Sequence, residues 1–315
     1  DVPGIEPHLV EALTDAFARE GEAVADLFDA RRTGGVYRRC HGDLHLKNIA
    51  LIDGVPTLFD CIEFSEGLSL IDPYYDLAFL LMDLRHRGFG AGASRVLSAY
   101  LTVATGTKRE EREVYGGLRL LPLYLALRAT IRAYIDARVA RETGDAEAMG
   151  AAGRYVVEAI DFLRDAPPTL LAVGGISGTG KSTLAFGLAP RRGRGAGAVV
   201  IRSDAVRKKL FGSGQTDRLP EEAYGKDWTN RTFREMRRLA GLCLDAGSAV
   251  IADAVHATAW QQRSLERVAF RRGRSFEGIW LEIDVELAVA RAEARRRDRH
   301  LGDVSDAGEA VVRRM

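Results

Sequence analysis

The sequence contains few of the residues that mark several classes of protein. Among 315 residues there are three cysteines, Cys40, Cys61 and Cys243, and no two of them form a C-x-x-C pair. Neither a disulfide framework nor a structural zinc site is therefore indicated. The formal net charge is +1, which gives no whole-chain argument for nucleic acid or a membrane surface as a partner. No apolar run reaches the roughly 18 residues of a membrane-spanning helix. We expect a cytoplasmic protein without a membrane partner.

A motif that suits phosphoryl transfer lies near the start of the chain. Residues 41–48 are His-Gly-Asp-Leu-His-Leu-Lys-Asn, and Asp60 follows a short apolar segment. In kinase-like catalytic loops an Asp meets the acceptor hydroxyl, while an Asn and a second Asp hold Mg²⁺. Asp43 is therefore the predicted base, and Asn48 and Asp60 are the predicted magnesium ligands. The alternative is a plain turn with Asp60 as a strand-end cap. The ordered set of motif, predicted hairpin and Asp60 favours the site.

A second phosphate-binding motif, of unrelated design, lies in the other half of the chain. Residues 175–182 are Gly-Ile-Ser-Gly-Thr-Gly-Lys-Ser and follow the apolar segment 170–173. This fits a Walker A loop, whose backbone N–H groups cradle phosphates at a helix N-terminus. We predict that Lys181 reaches the β- and γ-phosphates of ATP and that Ser182 holds Mg²⁺. The predicted nucleotide-binding residues are Gly175, Ser177, Gly178, Thr179, Gly180, Lys181, Ser182 and Thr183.

Two acidic residues follow predicted strands in this second half. Asp204 and Asp253 come at the carboxyl ends of strands, which in a parallel sheet face the ligand crevice. Asp204 is the predicted base for an acceptor hydroxyl, and Arg207, one helical turn on, could bind the acceptor or a phosphate. Asp253 is the predicted carboxylate near Mg²⁺. Each Asp could instead cap a helix or a turn.

An arginine-rich helix is predicted over 291–299. Arg291 and Arg295 lie one turn apart and could share a face. After the last strand of a Walker domain, such a helix can act as a lid that brings arginines onto the transferring phosphate. A solvated helix face is the plainer alternative. Nucleic acid is an unlikely partner for this helix, because no aromatic residues are interleaved with the arginines.

The pattern of apolar residues changes near Asp165-Ala166-Pro167-Pro168. Before this break it predicts one or two amphipathic helices over 5–32, a β-hairpin around Asp53-Gly54, and helices at about 74–87, 92–104, 111–140 and 146–164. After the break it predicts strands at 169–174, 198–203, 249–254 and 278–284 with helices between them, hence a parallel sheet. We predict an α/β chain: a mainly helical domain over 1–164, a linker over 165–168 and a P-loop domain over 169–315.

The first half resembles the aminoglycoside phosphotransferase family, a branch of the kinase-like fold. The shared features are the loop at 41–48, the apolar strand ending in Asp60, and the segment Asp72-Pro73-Tyr74-Tyr75-Asp76-Leu77-Ala78. The resemblance covers about residues 35–140 and implies that Asp76 braces the catalytic loop. It also implies an N-terminal lobe, yet residues 1–40 contain no G-x-G-x-x-G and look helical. Residues 306–315 look like part of a helix that continues further, so we expect a fragment trimmed at both ends. Without the lobe, residues 1–164 are expected to bind ATP weakly or not at all.

The second half resembles small P-loop kinases grouped with zeta toxins, polynucleotide 5′-kinases, gluconate kinase and chloramphenicol phosphotransferase. The shared features are the Walker loop, Ser203-Asp204-x-x-Arg207 and the arginine-rich lid. The whole chain resembles bacterial fusions of the two domain types. This implies a phosphotransferase that uses ATP and Mg²⁺ on the hydroxyl of a small-molecule acceptor. The alternative is a regulatory ATPase whose kinase-like half binds a ligand without turning it over. The sequence does not predict an oligomeric state.

Overall fold

The computed structural model describes the backbone of residues 4–297 and the side chains of residues 4–294. The chain divides into two compact units. Unit 1 contains the described residues up to Leu97, together with Thr107–Ala166 and Arg194–Ala196. Unit 2 contains Ser98–Gly106, Pro167–Gly193 and the described residues from Gly197 onward.

This division differs from the predicted domains in two short segments. Arg194 belongs to unit 1, where its guanidinium makes two hydrogen bonds of 2.6 and 2.8 Å to the Glu20 carboxylate. Ser98 belongs to unit 2, where its Oγ accepts a hydrogen bond from the Val200 amide at 3.1 Å. Such long-range pairs are invisible to local sequence patterns.

The first half of the chain is mainly helical, as predicted. Its helices and strands are α1 (Pro7–Thr33), β1 (Arg38–Arg39), β2 (Ile49–Ile52), β3 (Val55–Leu58), α2 (Glu66–Ser69), β4 (Leu70–Ile71), α3 (Pro73–His86), α4 (Gly90–Val103), α5 (Lys108–Gly117), α6 (Leu121–Thr143) and α7 (Ala146–Leu163). β1 pairs with β4, and β2 pairs with β3, both antiparallel. Asp53 and Gly54 have φ angles of 51° and 77°, as a tight two-residue turn requires. The predicted hairpin is confirmed.

One predicted helix is wrong in its extent. The segment predicted as a single helix over 111–140 forms α5 and α6, separated by a short break. α5 begins earlier because Thr107 forms a capping box with Glu110. The chain becomes helical again at α6, which has Pro122 in its first turn. The missing N–H of a proline breaks no helical hydrogen bond at that position.

The second half contains a parallel sheet with helices around it, which confirms the predicted fold class. Its helices and strands are β5 (Leu170–Gly174), α8 (Lys181–Leu188), β6 (Val199–Arg202), α9 (Ser203–Phe211), α10 (Lys226–Asp245), β7 (Val250–Asp253), α11 (Ala259–Phe270), β8 (Phe276–Trp280) and α12 (Val285–Arg297). The strand order is β6-β7-β5-β8, with all neighbours parallel. The Walker loop follows β5, where the order of strands reverses. Ligands of open α/β sheets bind outside the carboxyl ends of the strands at such a point.

The last strand was predicted too late in the chain. It spans Phe276–Trp280 rather than 278–284, because its register places Phe276 opposite Leu170 and Trp280 opposite Gly174. The length of β5 therefore sets the length of β8. The apolar core of this sheet includes Leu171, Val173 and Ile251, which are fully buried.

Candidate functional sites

The Walker loop connects β5 to α8, and hydrogen bonds hold its backbone where it leaves β5. The Gly175 amide donates to Val255 O at 3.3 Å, and Gly174 O accepts from the Leu281 amide at 3.0 Å. Gly178 has a φ of 94°, and a Cβ there would lie 2.4 Å from Ala288 O. Only glycine fits this position, both sterically and conformationally. The loop therefore has a defined shape, with α8 beginning directly at Lys181.

The side chains of the loop are turned onto its own backbone. Lys181 Nζ donates to Ile176 O at 2.7 Å, and Thr179 Oγ1 donates to the same oxygen at 2.9 Å. The Lys181 ammonium therefore lies beside the backbone amides of the loop, where a triphosphate would bind. The arrangement therefore has the donor set that phosphate requires.

Ser182 and Asp253 come together at the carboxyl ends of β5 and β7. Ser182 Oγ donates to Asp253 Oδ2 at 2.6 Å, and Arg202 Nε lies 3.5 Å from the same oxygen. Asp253 is buried, and burial raises the pKa of its carboxyl, while Arg202 and the Ser182 hydrogen bond oppose that shift. Asp253 ends a strand and caps no helix. A hydroxyl and a carboxylate are ligands that suit Mg²⁺ beside phosphate oxygens.

Asp204 lies in the first turn of α9, which begins at Ser203 with Arg202 as its N-cap. The alternative that Asp204 caps this helix is therefore wrong. Burial raises the pKa of Asp253, and the charge of the half-buried Asp204 carboxylate adds to that rise. Burial lowers the pKa of Arg207, and the charge of Asp204 opposes that shift. Asp204 is thus close enough to Asp253 and to Arg207 for its charge to act on both.

Arg207 is buried and turned toward α10. Its Nη1 donates to Ala223 O at 2.6 Å and to Thr229 Oγ1 at 3.4 Å, and the guanidinium lies over the Tyr224 ring at 5.0 Å. Its Nε is buried and has no hydrogen-bond partner. In this conformation the guanidinium orders the segment between α9 and α10. Its predicted contact with an acceptor or a phosphate stays a prediction.

The helix predicted as an arginine-rich lid is α12, and it lies against the Walker loop. Ala288, Val289 and Ala292 form a small buried cluster with Ile176 of the loop. Arg291, which directly precedes Ala292, is exposed. The side chain of Arg295 lies outside the described residues.

In unit 1 the loop at 41–48 is clamped by two buried side chains. Asp76 accepts from the amides of His41 and Gly42, both at 2.9 Å. Arg128 Nη2 donates to Gly42 O at 2.9 Å, and its guanidinium lies 3.9 Å from the centre of the Tyr75 ring. The bracing role of Asp76, implied by the family resemblance, is therefore seen directly. Arg128 is on α6, far along the chain, and no sequence signal links it to the loop.

Asp43 and Asn48 lie side by side in this loop. Asn48 Nδ2 donates to Asp43 Oδ2 at 3.1 Å and to Asp43 O at 3.0 Å. His45 Nε2 lies 3.3 Å from Asp43 Oδ2. The Asp43 side chain is 43% exposed, so it can meet an acceptor from solvent.

Asp60 is brought to the loop by hydrogen bonds of its neighbours. The Phe59 amide donates to Asn48 O at 3.1 Å, and His41 Nε2 lies 2.8 Å from Phe59 O. Asp60 itself has a φ of 60°, a strained left-handed conformation that is unusual outside glycine and often occurs at functional sites. Its side chain is exposed. None of the three predicted side chains is turned into an apolar core.

Two features are absent from the described residues, a cluster of acidic, His or Cys metal ligands and a membrane-spanning helix. Across residues 4–294, no group of three or more His, Cys, Asp or Glu side chains is arranged to hold a metal ion. Magnesium sites for phosphoryl transfer use one or two carboxylates and complete their shell with phosphate oxygens and water. The Ser182 hydroxyl and the Asp253 carboxylate, 2.6 Å apart, are a donor set compatible with Mg²⁺ that arrives with a nucleotide. The role of Asn48 and Asp60 as magnesium ligands stays a prediction. No described helix has the length and apolar character needed to cross a membrane.

Two family models match the chain, one for each half. The model described as "Phosphotransferase enzyme family" matches residues 4–116, and the model described as "AAA domain" matches residues 170–315. The chain is thus a fusion of a kinase-like phosphotransferase domain with a P-loop domain, as its motifs predicted. Together the two matches support phosphotransferase activity in general.

Curated relatives and a solved structure add further similarity. The uncharacterized protein Rv2004c of Mycobacterium tuberculosis and the uncharacterized protein Mb2027c of Mycobacterium bovis are each 34% identical over 248 residues. This is 78% of this chain and 47% of each relative, so the chain spans about half the length of these relatives. A chain in a structure described as "Structure of the Pnkp1/Rnl/Hen1 RNA repair complex" is 20% identical, with a TM-score of 0.35. That similarity covers 48% of this chain and 43% of the other.

Proposed function

We propose that the protein is an ATP-dependent phosphotransferase and that its P-loop half transfers the γ-phosphoryl group to a hydroxyl of a small-molecule acceptor. The observation that carries the proposal is the place of Asp204 in the first turn of α9, directly after β6, where its charge acts on both Asp253 and Arg207. A protein that only senses ATP needs no carboxylate at this place. A phosphotransferase needs one, because the acceptor hydroxyl loses its proton as it attacks.

Different residues of the Walker site would bind the triphosphate, hold Mg²⁺ and accept the proton. Backbone amides of the loop and Lys181 would hold the triphosphate, and Ser182 with Asp253 would hold Mg²⁺, which neutralises charge between the phosphates. The acceptor oxygen bonds to the γ-phosphorus as the bond to the β–γ bridging oxygen breaks. ADP leaves, and the hydroxyl proton passes to Asp204. Arg291 of α12 is placed on the helix that covers the loop, and we propose it as a lid residue.

The kinase-like half carries a second set of groups for the same class of reaction. Asp43 is the proposed base, and Asn48 with Asp60 are the proposed magnesium ligands. Support comes from the Asn48–Asp43 hydrogen bond and from the hydrogen bonds that fix Phe59 next to Asp60.

The test measures ATP consumption by the full chain with and without sugars, aminoglycosides and nucleosides. Stimulation by one acceptor, with phosphate found on it, is the expected result. Lys181→Ala and Asp43→Asn variants then assign the activity to one half of the chain. Tight binding of ATP with no stimulation by any acceptor in a broad panel would instead favour a regulatory ATPase.

A further inference from the structure

The amino-terminal half of α10 lies at the same edge of the sheet as the Walker loop. α10 leads into β7, which runs parallel to β5, so the start of α10 is at the carboxyl ends of the strands. Two contacts fix it there. Arg207 Nη1 reaches Thr229 Oγ1 at 3.4 Å, and the rings of Phe233 and His256 meet edge to face at 5.7 Å. An acceptor that approaches Asp204 therefore meets this part of α10.

Three arginines follow each other on α10 at intervals of three residues. We call Arg231, Arg234 and Arg237 the arginine strip. Burial lowers the pKa of Arg237, and the charge of Arg234 lowers it further. In the described part of the chain, neither Arg231 nor Arg234 is in an ion pair. By contrast, the next arginine, Arg238, is held by Glu235 at 2.6 Å. Like charges at this helical spacing repel one another, so a bound anion would relieve the repulsion within the strip.

Two tryptophans orient the guanidinium groups of the strip. Arg231 lies over the Trp228 ring at 5.0 Å, and Arg237 lies over the Trp260 ring at 4.9 Å. Trp260 is 47% exposed, so the second stack is open to solvent. Arg237 Nη1 also donates to Ser264 Oγ at 3.3 Å. Stacking occupies the flat face of a guanidinium and leaves the rest of its N–H edge for hydrogen bonds. That edge matches the oxygens of a phosphate group in a bidentate geometry.

We propose that the arginine strip binds a phosphate group already present on the acceptor, so that the P-loop half acts on a phosphorylated small molecule. This rests on the proposed function and specifies its substrate class. The phosphate on the strip anchors the acceptor while a free hydroxyl of the same molecule reaches Asp204. Binding energy from a group that does not react is a common way to position the one that does.

The test is a calorimetric titration of the full chain with inorganic pyrophosphate, after the Walker site is saturated with Mg²⁺ and a non-hydrolysable ATP analogue. The wild-type chain is expected to bind pyrophosphate. Arg231→Gln/Arg234→Gln is expected to weaken binding by at least about tenfold, because two charge-assisted donors are lost. The matched control is Arg271→Gln/Arg274→Gln, which removes the same charge from exposed positions at the other end of α11. The control is expected to bind as the wild type does.

Several results would overturn the proposal that the arginine strip binds a phosphate group. Equal weakening in both double variants, or none in either, overturns it, as does a wild-type chain that does not bind pyrophosphate. Tight binding of a single-stranded oligonucleotide without pyrophosphate binding also overturns it, in favour of a nucleic-acid backbone. Binding of the ATP analogue, measured first, reports on the Walker site alone. If pyrophosphate binds at the strip but no acceptor is ever phosphorylated, the proposed function fails while the anion site stands.

Discussion

Ser182 Oγ and Asp253 Oδ2 are 2.6 Å apart, although 71 residues separate them in the sequence. Ser182 is the second residue of α8, the helix that follows β5, and Asp253 is the last residue of β7. β5 and β7 are neighbours in the parallel sheet, so their carboxyl ends lie side by side. The hydrogen bond keeps the buried carboxylate directed at the Walker loop. We propose that this pair receives the magnesium ion that enters with the nucleotide.

Lys181→Ala is expected to abolish ATP binding by the P-loop half without unfolding it. Lys181 is half-buried and donates to Ile176 O, which also accepts from Thr179 Oγ1, so the loss of the ammonium leaves that carbonyl oxygen paired. Calorimetric titration with Mg-ATP is the measurement. Lys226→Ala, which removes an exposed lysine of the same unit, should bind as the wild type does. Undiminished affinity in a folded Lys181→Ala chain would contradict the Walker assignment.

Asp204→Asn is expected to preserve ATP binding and to slow transfer to the acceptor by roughly 10²- to 10⁴-fold, the usual contribution of a general base. The measurement is the rate of acceptor phosphorylation at saturating ATP. Glu266→Gln, an exposed acid on α11, is the matched control and should leave the rate unchanged. A wild-type rate in Asp204→Asn would reduce Asp204 to a favourable charge in the first turn of α9.

Asp76→Ala is expected to destabilise unit 1 by roughly 2–4 kcal/mol, because the part-buried amide of His41 and the buried amide of Gly42 both lose the carboxylate that accepts from them. Hydrogen exchange of these two amides should accelerate as well. Asp43→Asn changes a more exposed carboxylate of the same loop and should leave both readouts nearly unchanged. Equal loss of stability in the two variants would count against the clamp.

His256→Asn is expected to make stability less sensitive to mild acid. Burial lowers the pKa of His256 below its usual 6.5, so the unfolded chain binds the proton more readily than the folded one. Stability from this residue is therefore present above about pH 6.5 and is lost as the pH falls toward the folded pKa. Thermal unfolding at a series of pH values should show a smaller loss in the variant. Asparagine is chosen because it tolerates the φ of 49° at this position.

Local patterns were enough to predict several parts of the protein. The hairpin at Asp53-Gly54, the break at Pro167-Pro168 and the Walker loop each depend on neighbouring residues. Their turn chemistry and periodicity therefore appear in the sequence itself. The two family matches agree with the fusion that these motifs predicted.

Tertiary structure alone decided the partners of the site residues. Arg202 joins Asp253, Arg128 closes on Gly42, and Arg207 turns toward Thr229. The same applies to β8, whose ends follow β5 rather than its own apolar run. Each of these depends on contacts between residues far apart in the chain. The sequence by itself determined which chemistry each segment can support. Packing of the sheet and helices determined which charges meet, because a pairwise interaction exists only once the fold has brought both groups together.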